Sequence, residues 1–292
     1  MYYNNQTIIF LDREWPKAVD AKVDLFAQTL HYGNGVFEGI RSYDTPNGAK
    51  IFKAKEHYER LIYSAEKMNI KLDYTVEELT DYTYQLLEKN NLKNSYIRPL
   101  VYLGANMSLT TPAESHLMIA AWEWDRYLGS DLVKTTISGY QRPNPKSCHV
   151  EAKVIGHYIN SILATNDAKS KGFGEPLLLD NNGYIAEGGG SNFFYEKDGI
   201  LYTPPTGNIL PGITRATVIE LAKKIDVEVI EKSFTFEDLV DHDPDIAFST
   251  GTAVEIAGIR SIDDYVFTAD WKQTIGFKVA QEYKKRTTGS AL

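Results

Sequence analysis

Several features that would identify common protein classes are missing from this sequence. A single cysteine, Cys148, excludes an intrachain disulfide framework and is typical of a reducing compartment. No apolar run approaches the roughly 18 residues that a membrane-spanning helix needs. The opening residues, MYYNNQTIIFLDREW, lack the basic and then apolar layout of a secretory signal. We therefore expect a soluble cytoplasmic protein.

Positive charge is also in short supply. The chain has 31 Lys and Arg residues against 39 Asp and Glu residues, which gives a net charge of −8. Nucleic acid and anionic membranes both require a basic face, so neither is expected as a partner. The six histidines show no HxxH spacing and there is no CxxC, so no metal site is expected. A GxGxxG motif after the first strand is absent as well, which counts against a Rossmann enzyme.

Hydrophobic and aromatic residues are abundant enough to build a large core. They make up 43% and 12% of the 292 residues. Strand and helix patterns alternate without long βαβ repetition, and most neighbouring strands are separated by turn signals. The sequence therefore predicts an α+β protein with a small N-terminal domain at 1–125, a connector at 126–136 and a larger C-terminal domain at 137–292.

Local patterns place the main elements along the chain. Thr75 and Glu78 form a capping-box signature at the start of the second helix. Asn182-Gly183 predicts a tight primed turn and Asp198-Gly199 predicts a second hairpin turn. In the first half we expect strands at 7–12, 35–44, 96–104 and 116–124, and helices at 55–70 and 75–92. In the second half we expect a helix from 156 ended by Gly172, hairpins within 175–188 and 191–204, a helix at 212–225, and a strand-turn-strand unit at 245–259.

Lys153 is the first candidate for chemistry. In EAKVIGHYINS it stands among small and apolar residues at the start of a predicted helix. A solvated loop lysine is the ordinary explanation, since lysines are almost never fully buried. The alternative is an amine that forms an imine with an aldehyde cofactor. Pyridoxal phosphate, the cofactor in question, also needs a carboxylate at its ring nitrogen, a donor at its phenolic oxygen and an anion cradle for its phosphate.

Residues that meet each of these needs occur elsewhere in the chain. Glu187 runs into three glycines that leave room for a flat ring, and Tyr158 follows the lysine by five positions. The start of the helix after LPG, where we place Thr214 at the cap, and the STGT turn both offer backbone N–H groups to an anion. Each residue alone has an ordinary structural explanation as a strand end, a helix tyrosine, a cap or a turn. The candidates for the phosphate are Arg60, Ile213, Thr214 and Thr252.

Taken together, these segments resemble the class IV, or fold-type IV, pyridoxal-phosphate aminotransferases, and most closely their branched-chain amino acid group. The resemblance covers nearly the whole chain and follows the family's order. It rests on HYGNGVFEGIRSY, YIRPLVYLG, EAKVIGHYINS, DNNGYIAEGGGSNFF, LPGITR and STGTAVE. It implies a two-domain fold with a barrel-like C-terminal domain, and a homodimer or higher homo-oligomer in which each subunit supplies part of its neighbour's pocket. It also implies that Lys153 is the Schiff-base lysine, Glu187 the partner of the pyridine nitrogen, Tyr158 the donor to the phenolic oxygen and Leu210 a contact of the ring.

The resemblance extends to the substrates. It implies a ping-pong exchange between leucine, isoleucine or valine and 2-oxoglutarate, which yields glutamate and a branched 2-oxo acid. Tyr96, with the N–H groups of Thr252 and Ala253, is expected to bind the α-carboxylate, and Arg98 the side chain of glutamate. An ion pair with Glu38 is the alternative for Arg98. The aromatic wall is assigned to Tyr32, Phe37, Trp124 and Tyr127, for which core packing is the alternative.

One departure and several rival functions accompany this interpretation. Relatives usually have two glycines and an asparagine between the lysine and the tyrosine, whereas this chain has Ile155 and His157 in place of one glycine and the asparagine. That bulk either narrows the space beside the lysine or repacks the start of the helix. The same fold also serves D-amino acid transaminases, amine transaminases and aminodeoxychorismate lyase. A non-catalytic protein that only binds the cofactor is the rival from another class.

Overall fold

The computed structural model describes residues 2–124 and 132–289, and the chain divides into two compact units. The first unit contains the residues before the undescribed stretch together with Ala152–Gly156, and the second contains the remainder. Within the described part of the chain, no helix has both the length and the apolar character needed to span a membrane.

The first unit is an antiparallel sheet with helices. The strands are β1 (Phe10–Leu11), β2 (Gly35–Phe37), β3 (Ile40–Thr45), β4 (Gly48–Ile51), β5 (Ser95–Leu103) and β6 (Ser115–Trp122). The helices are α1 (Gln28–Tyr32), α2 (Ala54–Lys67) and α3 (Val76–Lys89). The strands follow the order β1-β6-β5-β3-β4 in the sheet, with β2 also paired to β5.

The two faces of β5 have different roles. Ile97, Val101 and Leu103 belong to the buried core that also contains the apolar residues of α2 and α3. Because side chains alternate along a strand, Tyr96 and Arg98 lie on the other face. The helix α3 begins at the predicted capping box, in which Thr75 and Glu78 exchange hydrogen bonds.

The predicted strand at 35–44 is divided into β2 and β3. Both pair with β5 in one continuous register, but Glu38 lies opposite Pro99. The Glu38 N–H donates to the Pro99 carbonyl at 2.9 Å, whereas proline has no N–H to return the bond. The ladder is therefore interrupted at Glu38. The strand predicted at 7–12 is also shorter than expected, because only Phe10 and Leu11 pair with β6.

The second unit is built around a closed ring of strands. Its helices are α4 (Tyr158–Ser170), α5 (Ile213–Lys224), α6 (Phe236–Asp241) and α7 (Ile275–Thr288), with 3₁₀ turns at Ile155–His157, which begins within the first unit, and Trp271–Gln273. Its strands are β7 (Val133–Ile137), β8 (Glu175–Leu179), β9 (Ile185–Gly188), β10 (Asn192–Lys197), β11 (Ile200–Thr203), β12 (Val229–Glu231), β13 (Ile246–Gly251), β14 (Glu255–Ile262) and β15 (Tyr265–Val266).

The ring runs β10-β13-β14-β7-β8-β9 and returns to β10. The closing contact is a single pair, Asn192 opposite Glu187. The strands β11, β12 and β15 extend the sheet outside the ring. Closure of the ring therefore places Glu187, near the end of β9, opposite Asn192, the first residue of β10.

The segment Ala152–Gly156 differs from the predicted domain boundary, which placed it in the C-terminal domain. It packs with the first unit because its backbone bonds there: the Phe37 N–H donates to the Lys153 carbonyl at 3.1 Å, and the Gly156 N–H donates to the Gly33 carbonyl at 3.0 Å. Ala152 and Val154 belong to the first unit's core.

One of the two predicted hairpin turns is confirmed and the other is wrong in type. Asp198 and Gly199 both have positive φ, as a primed two-residue turn requires. Between β8 and β9 only Gly183 has positive φ. There the Asp180 carboxylate accepts the N–H groups of Asn182 and Tyr184, which organises a longer loop.

Candidate active site

The backbone of Lys153 is hydrogen-bonded through both its N–H and its carbonyl group. Its N–H donates to Ser64 Oγ at 3.0 Å and its carbonyl accepts the Phe37 N–H. Val154, the next residue, forms an isolated β-bridge with Val36. The half-buried side chain therefore projects from a fixed point rather than from a solvated loop.

The ring of Phe37 brings the lysine and an arginine together. Lys153 Nζ lies 4.9 Å from the ring centroid, and the guanidinium carbon of Arg98 lies 4.6 Å from it. Both distances suit cation–π attraction. Three residues that were named from separate motifs therefore lie together in the structure.

Arg98 continues into a cluster of aromatic side chains. Its Nη2 donates to the Tyr96 hydroxyl at 3.1 Å, and the Tyr96 ring meets Trp124 edge-on at 4.9 Å. Trp122, opposite Tyr96 in the strand register, adds a further contact at 5.3 Å. A side chain at Gly39 would collide with the Tyr96 hydroxyl, so glycine is required there for this arrangement.

The ion pair considered between Arg98 and Glu38 does not form. Glu38 instead binds Arg60 through Nε at 2.6 Å and Nη2 at 2.9 Å, and it binds His57 Nδ1 at 2.7 Å. Pro99 opposite Glu38 interrupts the ladder there, and the carboxylate side chain is buried with α2 rather than paired on β5.

The carboxylate of Glu187 has three partners within the second unit. Its Oε1 lies 2.8 Å from Arg142 Nε and accepts the Leu210 N–H at 3.1 Å, while Oε2 accepts Asn192 Nδ2 at 3.0 Å. A cation and two N–H donors stabilise the charged form of a carboxylate. Closure of the strand ring supplies one of those donors, because Asn192 lies directly opposite Glu187.

The start of α5 adjoins this carboxylate. Gly212 is the N-cap and no side chain caps the helix, so the first N–H groups of a 12-residue helix present the positive end of its dipole. The expected cap at Thr214 is wrong, because Thr214 lies inside the helix and is buried. Asn192, which donates to the Leu210 carbonyl, connects this helix start to Glu187.

The turn containing Thr252 and Ala253 connects β13 to β14, as predicted. Gly251, which begins it, approaches the carbonyl of Gly190 so closely that an added Cβ would lie 3.2 Å away. The glycine run after Glu187 therefore reaches the Thr252 turn.

Tyr158 is the first residue of α4 and is half-buried. The 3₁₀ turn before it contains both residues that depart from the family pattern. Ile155 packs over Gly35, with Cδ1 at 2.7 Å from the position of an added Cβ. Of the two explanations for the departure, this contact favours repacking.

Comparisons with known proteins agree with this geometry. The family described as amino-transferase class IV matches residues 35–262. The branched-chain-amino-acid aminotransferase of Pseudomonas aeruginosa is 38% identical over 97% of this chain and 93% of its own length. The crystal structure of the Escherichia coli branched-chain amino acid aminotransferase superposes with a TM-score of 0.93 at 36% identity, covering 98% of this chain and 96% of that one. The T.th. branched-chain enzyme, complexed with N-(5'-phosphopyridoxyl)-L-glutamate, gives 0.88 at 33% identity, covering 97% and 95%.

This chain belongs to the class IV aminotransferases. The predicted family and its two-domain α+β fold are confirmed, as is its pyridoxal-phosphate-dependent chemistry. The residues present fit that cofactor: a braced buried carboxylate suits a protonated pyridine nitrogen, and an uncapped helix start suits a phosphate. No cluster of three or more metal-binding side chains occurs in residues 2–124 and 132–289.

The two other members of the predicted aromatic wall are Tyr32 and Tyr127. Tyr32 is exposed, and its hydroxyl donates to the Met107 carbonyl at 3.1 Å. Tyr127 lies outside the described residues.

The sequence analysis did not identify several other residues that lie at the candidate site. Arg142 sits in a proline-containing loop that carries no pattern, and Asn192 is separated from Glu187 by the glycines. His57 is one polar position on the buried side of α2. The only available signal was the asparagine that follows the glycine run. The residues missed are His57, Trp122, Arg142 and Asn192.

Proposed function

We propose that this aminotransferase exchanges amino groups between branched-chain L-amino acids and 2-oxoglutarate. The contact of Arg98 with Phe37 and Tyr96 carries the proposal. An aliphatic side chain requires an apolar wall, and the second carboxylate of glutamate requires a cation. This cluster offers both on one face of β5.

Lys153 is assigned to the covalent attachment of pyridoxal phosphate and to proton transfer at the substrate Cα. When bound, the cofactor supplies the electron sink that makes loss of that proton feasible. The fixed backbone of Lys153 limits where its amine can act, and orientation of this kind lowers the barrier to proton transfer.

The remaining residues orient the cofactor. Glu187 would keep the pyridine nitrogen protonated, because a hydrogen-bonded carboxylate favours a cationic partner. Tyr158 would donate to the phenolic oxygen, and Leu210 would pack on the ring. The phosphate is assigned to Arg60, Ile213, Thr214 and Thr252.

Substrate recognition divides between carboxylate and side chain. Tyr96 and the N–H groups of Thr252 and Ala253 are assigned to the α-carboxylate. Arg98 is assigned to the side-chain carboxylate of glutamate. The apolar wall is assigned to Tyr32, Phe37, Trp124 and Tyr127.

A homodimer is the proposed assembly. Large apolar side chains are exposed on two hydrogen-bonded loops of the first unit, where the Asn106 N–H donates to the Phe26 carbonyl at 3.1 Å. Tyr32 lies in the same place, which agrees with a substrate wall shared between subunits. This exposed apolar surface consists of Leu25, Phe26, Leu30, Tyr32, Met107 and Leu109.

Composition supports a proposal for the cell compartment and for the kinds of partner. We assign the protein to the cytoplasm, which its one cysteine supports. Its net charge of −8 opposes nucleic acid or an anionic membrane as a partner.

The decisive test is a substrate panel on the cofactor-loaded protein. Leucine, isoleucine and valine should each produce glutamate from 2-oxoglutarate. Turnover of D-alanine without turnover of L-leucine would reject the assignment in favour of a D-amino acid transaminase. If no amino donor is turned over although the cofactor is bound, the protein is a non-catalytic protein that only binds the cofactor.

Half-reactions with the variant Arg98→Leu test the dual pocket. Loss of a charge-assisted hydrogen bond should weaken apparent binding of glutamate about 10- to 100-fold. Leucine should change far less, because it has no second carboxylate. Equal losses for both substrates would show that Arg98 has only a structural role.

A further inference from the structure

The Glu38 side chain is fully buried in the first unit, with no exposed surface. Its two oxygens receive three N–H groups from two residues of α2, Arg60 and His57. The Gly39 N–H adds a weaker bond at 3.2 Å. A buried carboxylate with this many donors is a built feature rather than a chance surface contact.

The charges of this cluster balance. Burial alone raises the pKa of Glu38, but the charge of Arg60 and the hydrogen bonds from Arg60 and His57 outweigh burial and leave that pKa well below its usual range. Burial lowers the pKa of His57, and the opposing effect of Glu38 does not reverse the shift. The cluster therefore contains one anion, one cation and a neutral imidazole that donates through Nδ1.

The geometry fixes the direction of the arginine. A guanidinium is planar, and a carboxylate that engages Nε and Nη2 together defines its plane as well as its position. His57 in turn holds the carboxylate from Oε2. An arginine without such a partner loses more rotamer freedom when it binds an anion.

We propose that Glu38 and His57 are positioning residues that hold Arg60 in the orientation in which it binds the phosphate of pyridoxal phosphate. The inference rests on the proposed role of Arg60. It separates the residue that touches the phosphate from two residues that act through it.

The test compares dissociation constants of apoprotein for pyridoxal phosphate and for pyridoxal, which lacks the phosphate. Arg60→Met should weaken pyridoxal phosphate at least 10-fold and leave pyridoxal nearly unchanged. Glu38→Gln should weaken pyridoxal phosphate about 5- to 30-fold with the same selectivity. The double variant should bind no more weakly than Arg60→Met, because both changes act on one contact.

His57 provides a conservative pair of variants. His57→Asn keeps an N–H donor near the position of Nδ1 and should retain most of the affinity for pyridoxal phosphate. His57→Leu removes the donor and should lose affinity for that ligand alone. If Glu38→Gln folds poorly, the His57 variants still test the proposal. The double variant of Glu38→Gln with Arg60→Met also tests it, because it buries neither charge.

Three outcomes would overturn the inference. Unchanged affinity of Glu38→Gln for pyridoxal phosphate would show that Arg60 needs no positioning. Equal weakening of pyridoxal and pyridoxal phosphate would show a purely structural role for Glu38. An Arg60→Met protein that keeps its preference for the phosphorylated ligand would remove Arg60 from the phosphate site, while the substrate panel would still decide the proposed reaction.

Discussion

Glu175 illustrates how a single buried group responds to its surroundings. It begins β8 and is buried, and its Oε2 has no hydrogen-bond partner among the described residues. Burial raises its pKa to about 7, although the backbone N–H groups of Gly190 and Gly189 and the charge of Lys169 act in the opposite direction. This carboxyl therefore holds its proton at a pH where an unfolded chain has released it.

The variant Glu175→Gln should make stability less dependent on pH. Between about pH 4.5 and pH 7 the folded protein holds a proton that the unfolded chain lacks, so wild-type stability falls as pH rises. Glutamine mimics the protonated acid, so the variant should gain up to roughly 3 kcal/mol over wild type by pH 8. Urea unfolding at several pH values measures this difference, with the exposed Glu14→Gln as control. A pH-independent difference would refute the assignment.

Individual site residues could be predicted only where they belong to a recognisable local motif. Lys153 and Glu187 stand in segments that resemble a family, and the structure shows both in braced positions. Arg142 reaches Glu187 from a loop that is distant in sequence, and Asn192 reaches it because the strand ring closes there. No pattern near Arg142 encodes its contact, and the asparagine after the glycine run was the one local signal for Asn192.

At the scale of elements, the close approach of two glycines positions the lysine segment. Gly33 ends α1 with φ 69°, and the Gly156 N–H donates to its carbonyl at 3.0 Å. A Cβ at Gly33 would lie 2.9 Å from the Gly156 Cα. The position of the chain around Lys153 therefore depends on the absence of a side chain at Gly33, which is distant in sequence.

The variant Gly33→Ala should lose more stability than Gly48→Ala. Both positions have positive φ, which costs alanine roughly 1–2 kcal/mol. Gly48 has open space around it, whereas Gly33 meets backbone, so overpacking should add about 1–3 kcal/mol at Gly33 alone. Denaturant unfolding of the two apoproteins provides the comparison. Equal losses would show that the contact between Gly33 and Gly156 is not close in solution.

Elements were more predictable than their connections. Helices α2, α3 and α5 begin within one residue of the predicted positions, because periodicity and caps are local. The Asn182-Gly183 turn was wrong because the Asp180 carboxylate competes for the backbone N–H groups. The division of β2 from β3 depends on Pro99, more than fifty residues away in sequence, and no local pattern shows that pairing.

For the whole molecule, the exposed apolar surface of the first unit has consequences for assembly. Leu109 is 89% exposed, and its loop is hydrogen-bonded to the segment that carries Phe26 and Tyr32. Large exposed apolar surface marks interaction sites. A second copy of the chain is the occupant that we propose.

The variant Leu109→Asp should therefore weaken the dimer. A charge in an apolar interface is costly, whereas the same change on a free surface alters stability by no more than about 0.5 kcal/mol. Sedimentation over a range of concentrations should show a shift toward monomer. Val266→Asp, at a 49% exposed position in the second unit, is the matched control. Identical behaviour of the two variants would place the interface elsewhere.

The central claim is that one amine, the ε-amine of Lys153, carries the cofactor. Borohydride reduction of the cofactor-loaded protein, followed by peptide mapping, tests it directly. The account predicts a pyridoxyl group on the peptide that contains Lys153, its loss in Lys153→Ala, and its retention when the exposed Lys146 is replaced by alanine. A pyridoxyl group on a different lysine, or none on saturated protein, would contradict the account.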